Sequence, residues 1–163
     1  MKLSDNRTHP PADIGQLAFL IGDAARLLRT ALEKRVAQSG LGLTPGEARA
    51  LINIAATDGS RQLDIALRMG VEPMTLCTYL DKLQALGLVE RQPCTVDRRA
   101  KRINLTPASI DMLAAIRQEL GDILARATQG MDEERCDLLA ETLKSFNANL
   151  QTFNHGTPDE QND

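Results

Sequence analysis

The chain has 163 residues, 42% of them apolar, with 19 Lys and Arg against 22 Asp and Glu and a net charge of −3. This length fits one domain, or one domain with an extension, and this apolar share excludes wholesale disorder. No apolar run reaches bilayer length and the opening "MKLSDNRTHPPADIG" lacks the apolar middle of a secretion signal, so a cytoplasmic protein with no membrane partner is the expectation.

Residues 1–11 are polar, contain Pro10-Pro11 and read as a mobile arm. From 12 to 38 the apolar positions Ile14, Leu17, Ala18, Ile21, Ala25, Leu28 and Leu32 fall at helical spacing. That is a helix of about seven turns, long for so small a domain, ending at Ser39-Gly40. "LTPGEARALINIAA" opens with Thr44 as N-cap, Pro45 in the first helical position and Glu47 placed to close a capping box. That helix runs to about Ala56 and stops at "TDGS". A short helix in "RQLDIALRMG" is predicted to turn Leu63, Ala66 and Leu67 inward and to stop at Gly70.

After a tight turn at Val71-Glu72, Pro73 opens another helix, "PMTLCTYLDKLQAL", with Leu76, Leu80 and Leu83 on one face and Gly87 at its end. Two short helices joined by so brief a turn form a helix-turn-helix candidate. "LVERQ" and "RINLT" follow as two strands around the polar tip "PCTVDRRAK". Thr106-Pro107 repeats the cap-plus-proline device of Thr44-Pro45 and starts a helix to about Gln129. The last helix spans Met131 to Phe153, where Leu139, Leu143, Phe146, Leu150 and Phe153 step by 4, 3, 4 and 3 in a coiled-coil seam. Residues 154–163 form a polar tail, expected to be disordered.

The organisation is therefore mainly α with a small β-hairpin wing. A DNA-binding segment at 39–106 stands between an N-terminal dimerisation helix at 12–38 and C-terminal dimerisation helices at 107–153. The outer helices are more apolar than one small domain needs, which predicts a homodimer burying those stripes against a second copy.

Charge locates the function. Residues 61–102 hold eight cations and five carboxylates, a local +3, which leaves −6 for the remainder. Four of the 19 cations stand between Arg98 and Arg102, on the hairpin tip. An acidic chain with one basic tip has a local anion-binding surface. A helix enters the major groove of DNA, and a hairpin beside it reaches the neighbouring minor groove. The recognition helix begins at Pro73 and turns Met74, Thr75, Thr78 and Lys82 outward. Thr75 and Thr78 suit base edges or phosphates, and Lys82 a phosphate. No Arg, Asn or Gln stands among its first residues, so sequence preference rests on shape and on few contacts. Arg99 at the tip suits a narrow minor groove, with Asp97, two residues before it, to hold its guanidinium.

The ordered set "LGLTPGEARAL", "MGVEPMTLCTYLDKLQALGLVER" and "DRRAKRINLT" resembles the MarR family of transcriptional regulators over about residues 12–153. The resemblance implies a dimeric winged helix-turn-helix regulator, a repressor or an activator with repressor favoured, which binds an inverted repeat in double-stranded DNA. By matching position it implies that Arg99 is the minor-groove arginine and Asp97 its orienting partner. It gives Arg98, Lys101 and Arg102 supporting roles and sets Arg61 and Gln62 against phosphate. The chain departs from the pattern at Thr78, where many relatives carry arginine, and at Cys77, where Ser or Thr is common.

Relatives respond to small aromatic carboxylates or phenols, or sense oxidants through cysteine. With one Tyr and three Phe, a pocket here would be built from Leu, Ile and Met, with Arg26 and Arg29 as candidates to meet a ligand carboxylate. Cys77 and Cys94 are the cysteines nearest the DNA surface. Arg91 and Arg98 beside Cys94 would favour its thiolate, and the alternative is a half-buried Cys77 and a merely exposed Cys94.

Three cysteines (Cys77, Cys94 and Cys136) form no C-x-x-C pair, and both histidines, His9 and His155, stand in the terminal segments. No metal, cofactor or enzymatic activity is expected, since a thiol enzyme would lack an imidazole base in the chain body. A helical adaptor that binds protein through the last seam remains the alternative from another class, but it leaves the basic tip without a role.

Overall fold

The computed structural model describes residues 14–94 and 100–155. In chain order these form α1 (Ile14–Gln38), α2 (Pro45–Ala56), α3 (Gln62–Met69), α4 (Pro73–Ala85), β1 (Val89–Pro93), β2 (Lys101–Leu105), α5 (Ser109–Ala127) and α6 (Glu133–His155). The chain divides into two compact units, residues 1–123 and 124–163. The fold is the mainly helical one with a two-stranded hairpin that the sequence predicts.

In the first unit α2 is the hub, burying Ala48, Ala50, Leu51 and Ile54. Its start follows from "TPGE". The Glu47 amide donates to Thr44 Oγ1 at 3.3 Å and the Thr44 amide donates to Glu47 Oε2 at 2.8 Å, so two amides of the first turn find partners. Leu76, Leu80 and Leu83 of α4 are all fully buried, as their spacing predicts. Each such leucine contributes about 1.5–3 kcal/mol of hydrophobic stabilisation. Leu32 and Val36 join the same core from the last turns of α1. Close by, Arg35 pairs with Glu119 Oε2 at 2.6 Å and Asp122 Oδ2 at 3.0 Å on α5.

The short helix α3 corrects one expectation. Ile65, Ala66 and Met69 are buried, whereas Leu63 and Leu67 are exposed. At about 100° per residue the two leucines stand opposite the Ile65–Met69 side. Both sides of this helix are apolar at Ala66 and its neighbours, so periodicity alone does not choose between them. The turn into α4 makes the choice. Gly70 adopts φ +64°, and the amides of Gly70 and Val71 donate to Leu67 O and Ala66 O, both at 3.1 Å. That left-handed residue closes the helix so that Ile65 and Met69 face α2 and α4.

The hairpin pairs Val89 with Leu105 through to Pro93 with Lys101, antiparallel. Val89 and Ile103 anchor its base in the core. The "TDGS" segment does more than stop α2. The Gly59 amide donates to Ile103 O at 2.9 Å and the Ile103 amide donates to Ser60 O at 3.0 Å, while Arg61 bridges Arg102. Asp58 Oδ1 accepts the Leu105 amide at 2.8 Å. The α2–α3 turn thus lies along the outer edge of β2.

Two helix starts also differ from expectation. α5 begins at Ser109, with the Thr106 hydroxyl donating to Gly87 O rather than acting as at Thr44. The Ser109 amide and hydroxyl both donate to Thr106 O, at 3.0 and 2.8 Å. In the second unit α6 begins at Glu133, two residues later than expected, because Asp132 Oδ1 caps it by accepting the Arg135 amide at 2.9 Å. Along α6 the seam residues Leu139, Leu143, Leu150 and Phe153 are exposed and Phe146 is half-buried. Among the described residues no helix is long and apolar enough to cross a membrane.

Candidate nucleic-acid interface

Burial of Leu76, Leu80 and Leu83 fixes which side of α4 faces out. That side carries Pro73, Met74, Thr75, Thr78 and Lys82, all exposed, with Met74 75% exposed. The Thr78 hydroxyl donates to Met74 O at 3.2 Å, which leaves the oxygen of this exposed residue free to accept. The face is small, polar and slightly cationic, with one flexible apolar side chain at the leading end, a composition suited to lying against base edges.

An open groove of about 490 Å³ runs beside this face. Arg61, Gln62, Leu63 and Asp64 from the start of α3, Pro73 and Cys77 from α4, and Ala100 and Lys101 from the wing line it. The fold thereby gathers Arg61, Gln62, Pro73 and Lys101, four residues expected at DNA, in one place. Arg61 and Lys101 are exposed, so their charges are available to an anion. Cys77 shares this groove and is half-buried, with Gln62 Nε2 donating to its sulfur at 2.9 Å.

The expected tip residues Asp97, Arg98 and Arg99 lie outside the described residues. At the described end of the hairpin the Cys94 amide donates to Ala100 O at 2.9 Å. The Cys94 side chain is only 1% exposed, which corrects the reading of it as an exposed thiol. The chain folds the first residue after β1 back into the protein instead of leaving it on the tip.

Two wing arginines meet acceptors within the protein, Arg91 with its side chain largely enclosed and Arg102 while exposed. Arg91 donates to Asp81 Oδ1 at 2.7 Å, Gln84 Oε1 at 2.9 Å and the Cys77 carbonyl at 3.2 Å. Arg102 donates to Gly59 O at 2.7 Å. Counting charge along the sequence assigns both to the basic surface. The acceptors that claim them come from distant turns, and only the Asp81–Gln84 spacing on α4 hints at one of them. Arg26, a candidate for an effector carboxylate, pairs with Asp23 one turn earlier on α1, and Arg29 is exposed on the same helix. Neither lines the groove. Among the described residues no cluster of His, Cys, Asp or Glu could hold a metal ion.

The MarR family model matches residues 41–100, the segment that carries α2, α3, α4 and β1. A MarR-family transcriptional regulator from Silicibacter pomeroyi is 30% identical, over 83% of this chain and 90% of that one, with a TM-score of 0.69. The transcriptional regulator PA3341 is 32% identical, over 83% of this chain and 98% of that one, with a TM-score of 0.66. CouR from Rhodococcus jostii RHA1, solved bound to p-coumaroyl-CoA, shares the fold at 21% identity, over 80% of this chain and 90% of that one, with a TM-score of 0.63. With a helix-turn-helix and wing in place, and two relatives at this identity aligned over nearly their whole length, the chain belongs to the MarR family of transcriptional regulators.

Proposed function

We propose that the protein is a homodimeric repressor that binds an inverted repeat in double-stranded DNA, each copy laying α4 in a major groove and its wing in the adjacent minor groove. The observation that carries this reading is the single groove formed by Arg61, Gln62, Pro73 and Lys101 beside the exposed Thr75, Thr78 and Lys82 of α4. Arg61, Gln62 and Lys101 meet phosphate, which sets register without reading sequence. Met74, Thr75 and Thr78 face base edges, and Lys82 meets phosphate further along. In this reading Arg99 enters the minor groove, Asp97 orients it and Arg98 adds charge at the tip.

The segment 39–106 carries the DNA contacts, and the segments 12–38 and 107–153 carry the dimer. Exposed Leu17, Phe19, Leu20 and Leu27 on α1 support the first dimer face, and exposed Leu139, Leu143 and Leu150 on α6 support the second. Two copies related by a two-fold axis present two recognition helices, and an inverted repeat mirrors that symmetry. A small aromatic or carboxylate effector, of the kind CouR binds as a coumaroyl thioester, modulates DNA affinity in this reading. The test is selection of duplexes from a random pool by the purified chain. Enrichment of an inverted repeat whose binding weakens steeply with salt supports the reading, and a pool that stays random rejects it.

A further inference from the structure

We propose that Arg91 is a positioning residue that sets the wing against the recognition helix without itself touching DNA, an inference that rests on the DNA-binding reading above. Arg91 stands on β1, paired with Ile103 of β2. Its guanidinium leaves the hairpin and reaches α4, where Nη2 donates to the Cys77 carbonyl at 3.2 Å and to Asp81 Oδ1 at 2.7 Å, and Nη1 donates to Gln84 Oε1 at 2.9 Å. Cys77, Asp81 and Gln84 step by four and three along α4 and so share one side of it. The three acceptors span two turns of the helix. Together they fix its rotation and its axial position relative to β1.

The alternative link between helix and wing is covalent and short. α4 ends at Ala85, Gly87 turns at φ +71°, and β1 begins at Val89. The base of the hairpin is held by Val89 and Ile103 in the core and by the α2–α3 turn along β2. Arg91, two residues beyond Val89, holds the next stretch of β1 against α4. Its side chain is 16% exposed, against 70% for Asp81, so the guanidinium is largely enclosed while its partner carboxylate faces solvent. Arg102 acts on the opposite strand, tying β2 to Gly59 in the α2–α3 turn.

The geometry matters because the duplex, not the protein, fixes the distance between a major groove and the next minor groove. A wing that swings loses its minor-groove contact even when α4 is seated. A planar fork that donates to three acceptors resists that swing. A lysine ammonium at the same position keeps the charge but does not reproduce the fork.

The experiment uses the full chain and a duplex selected with wild type. Affinity is measured across a salt series for wild type, Arg91→Lys, Arg91→Ala, Asp81→Asn and the pair Arg91→Ala/Asp81→Asn, and for Arg99→Ala with and without Arg91→Ala, together with preference at the outer base pairs under the wing. Lys101→Ala serves as a comparator for a lost phosphate contact. The proposal expects Arg91→Ala to weaken binding about tenfold in wild type but to add little in an Arg99→Ala background, because Arg91 acts only through the wing. Discrimination at the outer base pairs falls while that at the inner ones stays. Arg91→Lys recovers only part of the loss, and Asp81→Asn adds little to Arg91→Ala because the two act as one unit.

A full Arg91→Ala loss that persists in the Arg99→Ala background, with the slope lowered by about one more, overturns the proposal by making Arg91 a phosphate contact. Wild-type discrimination in Arg91→Ala overturns it as well, as does equal loss at inner and outer base pairs. Should Arg91→Ala fail to fold by circular dichroism, Arg91→Lys and Asp81→Asn decide on the same readouts. Absence of any selected duplex for wild type is a different failure, that of the DNA-binding reading itself.

Discussion

The ring of Tyr79 lies directly on Gly46. A Cβ built at Gly46 would stand 2.8 Å from Tyr79 Cε1 and closer still to Cζ and Oη. The recognition helix thus rests on the first turn of α2 through its only tyrosine, at a spot where a glycine removes the one atom that would block it. Gly46→Ala is expected to destabilise the protein by about 1–3 kcal/mol through overpacking. In a Tyr79→Ala background the sign reverses, since an unobstructed alanine is the better helix residue by about 0.5–1 kcal/mol. Urea midpoints of the four variants in that cycle check both signs. A Gly46→Ala midpoint equal to wild type would remove the contact from the account.

The orientation of α3 gives a second contrast. Ile65→Ala removes a side chain that is 1% exposed and is expected to cost about 2–5 kcal/mol. Leu67→Ala removes one that is 72% exposed and is expected to stay within about 0.5 kcal/mol. Thermal unfolding of the two variants separates the observed face from the one that the Leu63–Leu67 spacing points to, and the reverse order of stabilities would contradict it.

These two cases show how far the sequence reaches. Helix order, the capping box at Thr44, the Leu76–Leu80–Leu83 face and the hairpin were legible, because each rests on a local rule of period or cap. The α3 face was not, because both sides of a two-turn helix are apolar and a left-handed residue at Gly70 decides between them. The roles of Arg91 and Arg102 were also hidden. Charge is additive along a sequence, but which acceptors a guanidinium meets depends on the fold, as with Gly59 O, 43 residues from Arg102. Thr44 and Thr106 looked alike before proline. Only the first caps its helix through its hydroxyl, because Gly87 O stands within reach of the second. For the groove, the sequence identified Arg61, Gln62, Pro73 and Lys101 without showing that they meet.

The dimer reading predicts a mass of two chains in light scattering at micromolar concentration. Leu139→Glu with Leu143→Glu places two carboxylates on the exposed seam of α6 and is expected to shift the population toward one chain, as desolvating a charge in an apolar seam is unfavourable. A single-chain mass for wild type contradicts the reading.

Contacts to phosphate and contacts to bases separate by their salt dependence. Lys101→Ala is expected to weaken binding about equally on all sequences and to lower the salt slope by about one. Thr78→Ala is expected to leave the slope unchanged and to relax preference at one position in each half-site. Titrations of a selected and a scrambled duplex check both, and a slope unaffected by Lys101→Ala would place that side chain away from the backbone.

The most direct test of the account is fluorescence anisotropy on the selected inverted repeat, comparing wild type with Arg99→Ala across a salt series. The account predicts tight, salt-sensitive binding by wild type and a loss of about 1–3 kcal/mol for Arg99→Ala, with relaxed preference at the bases beneath the wing. Equal affinity of the two proteins, or binding by wild type that salt does not weaken, would contradict a wing that enters the minor groove.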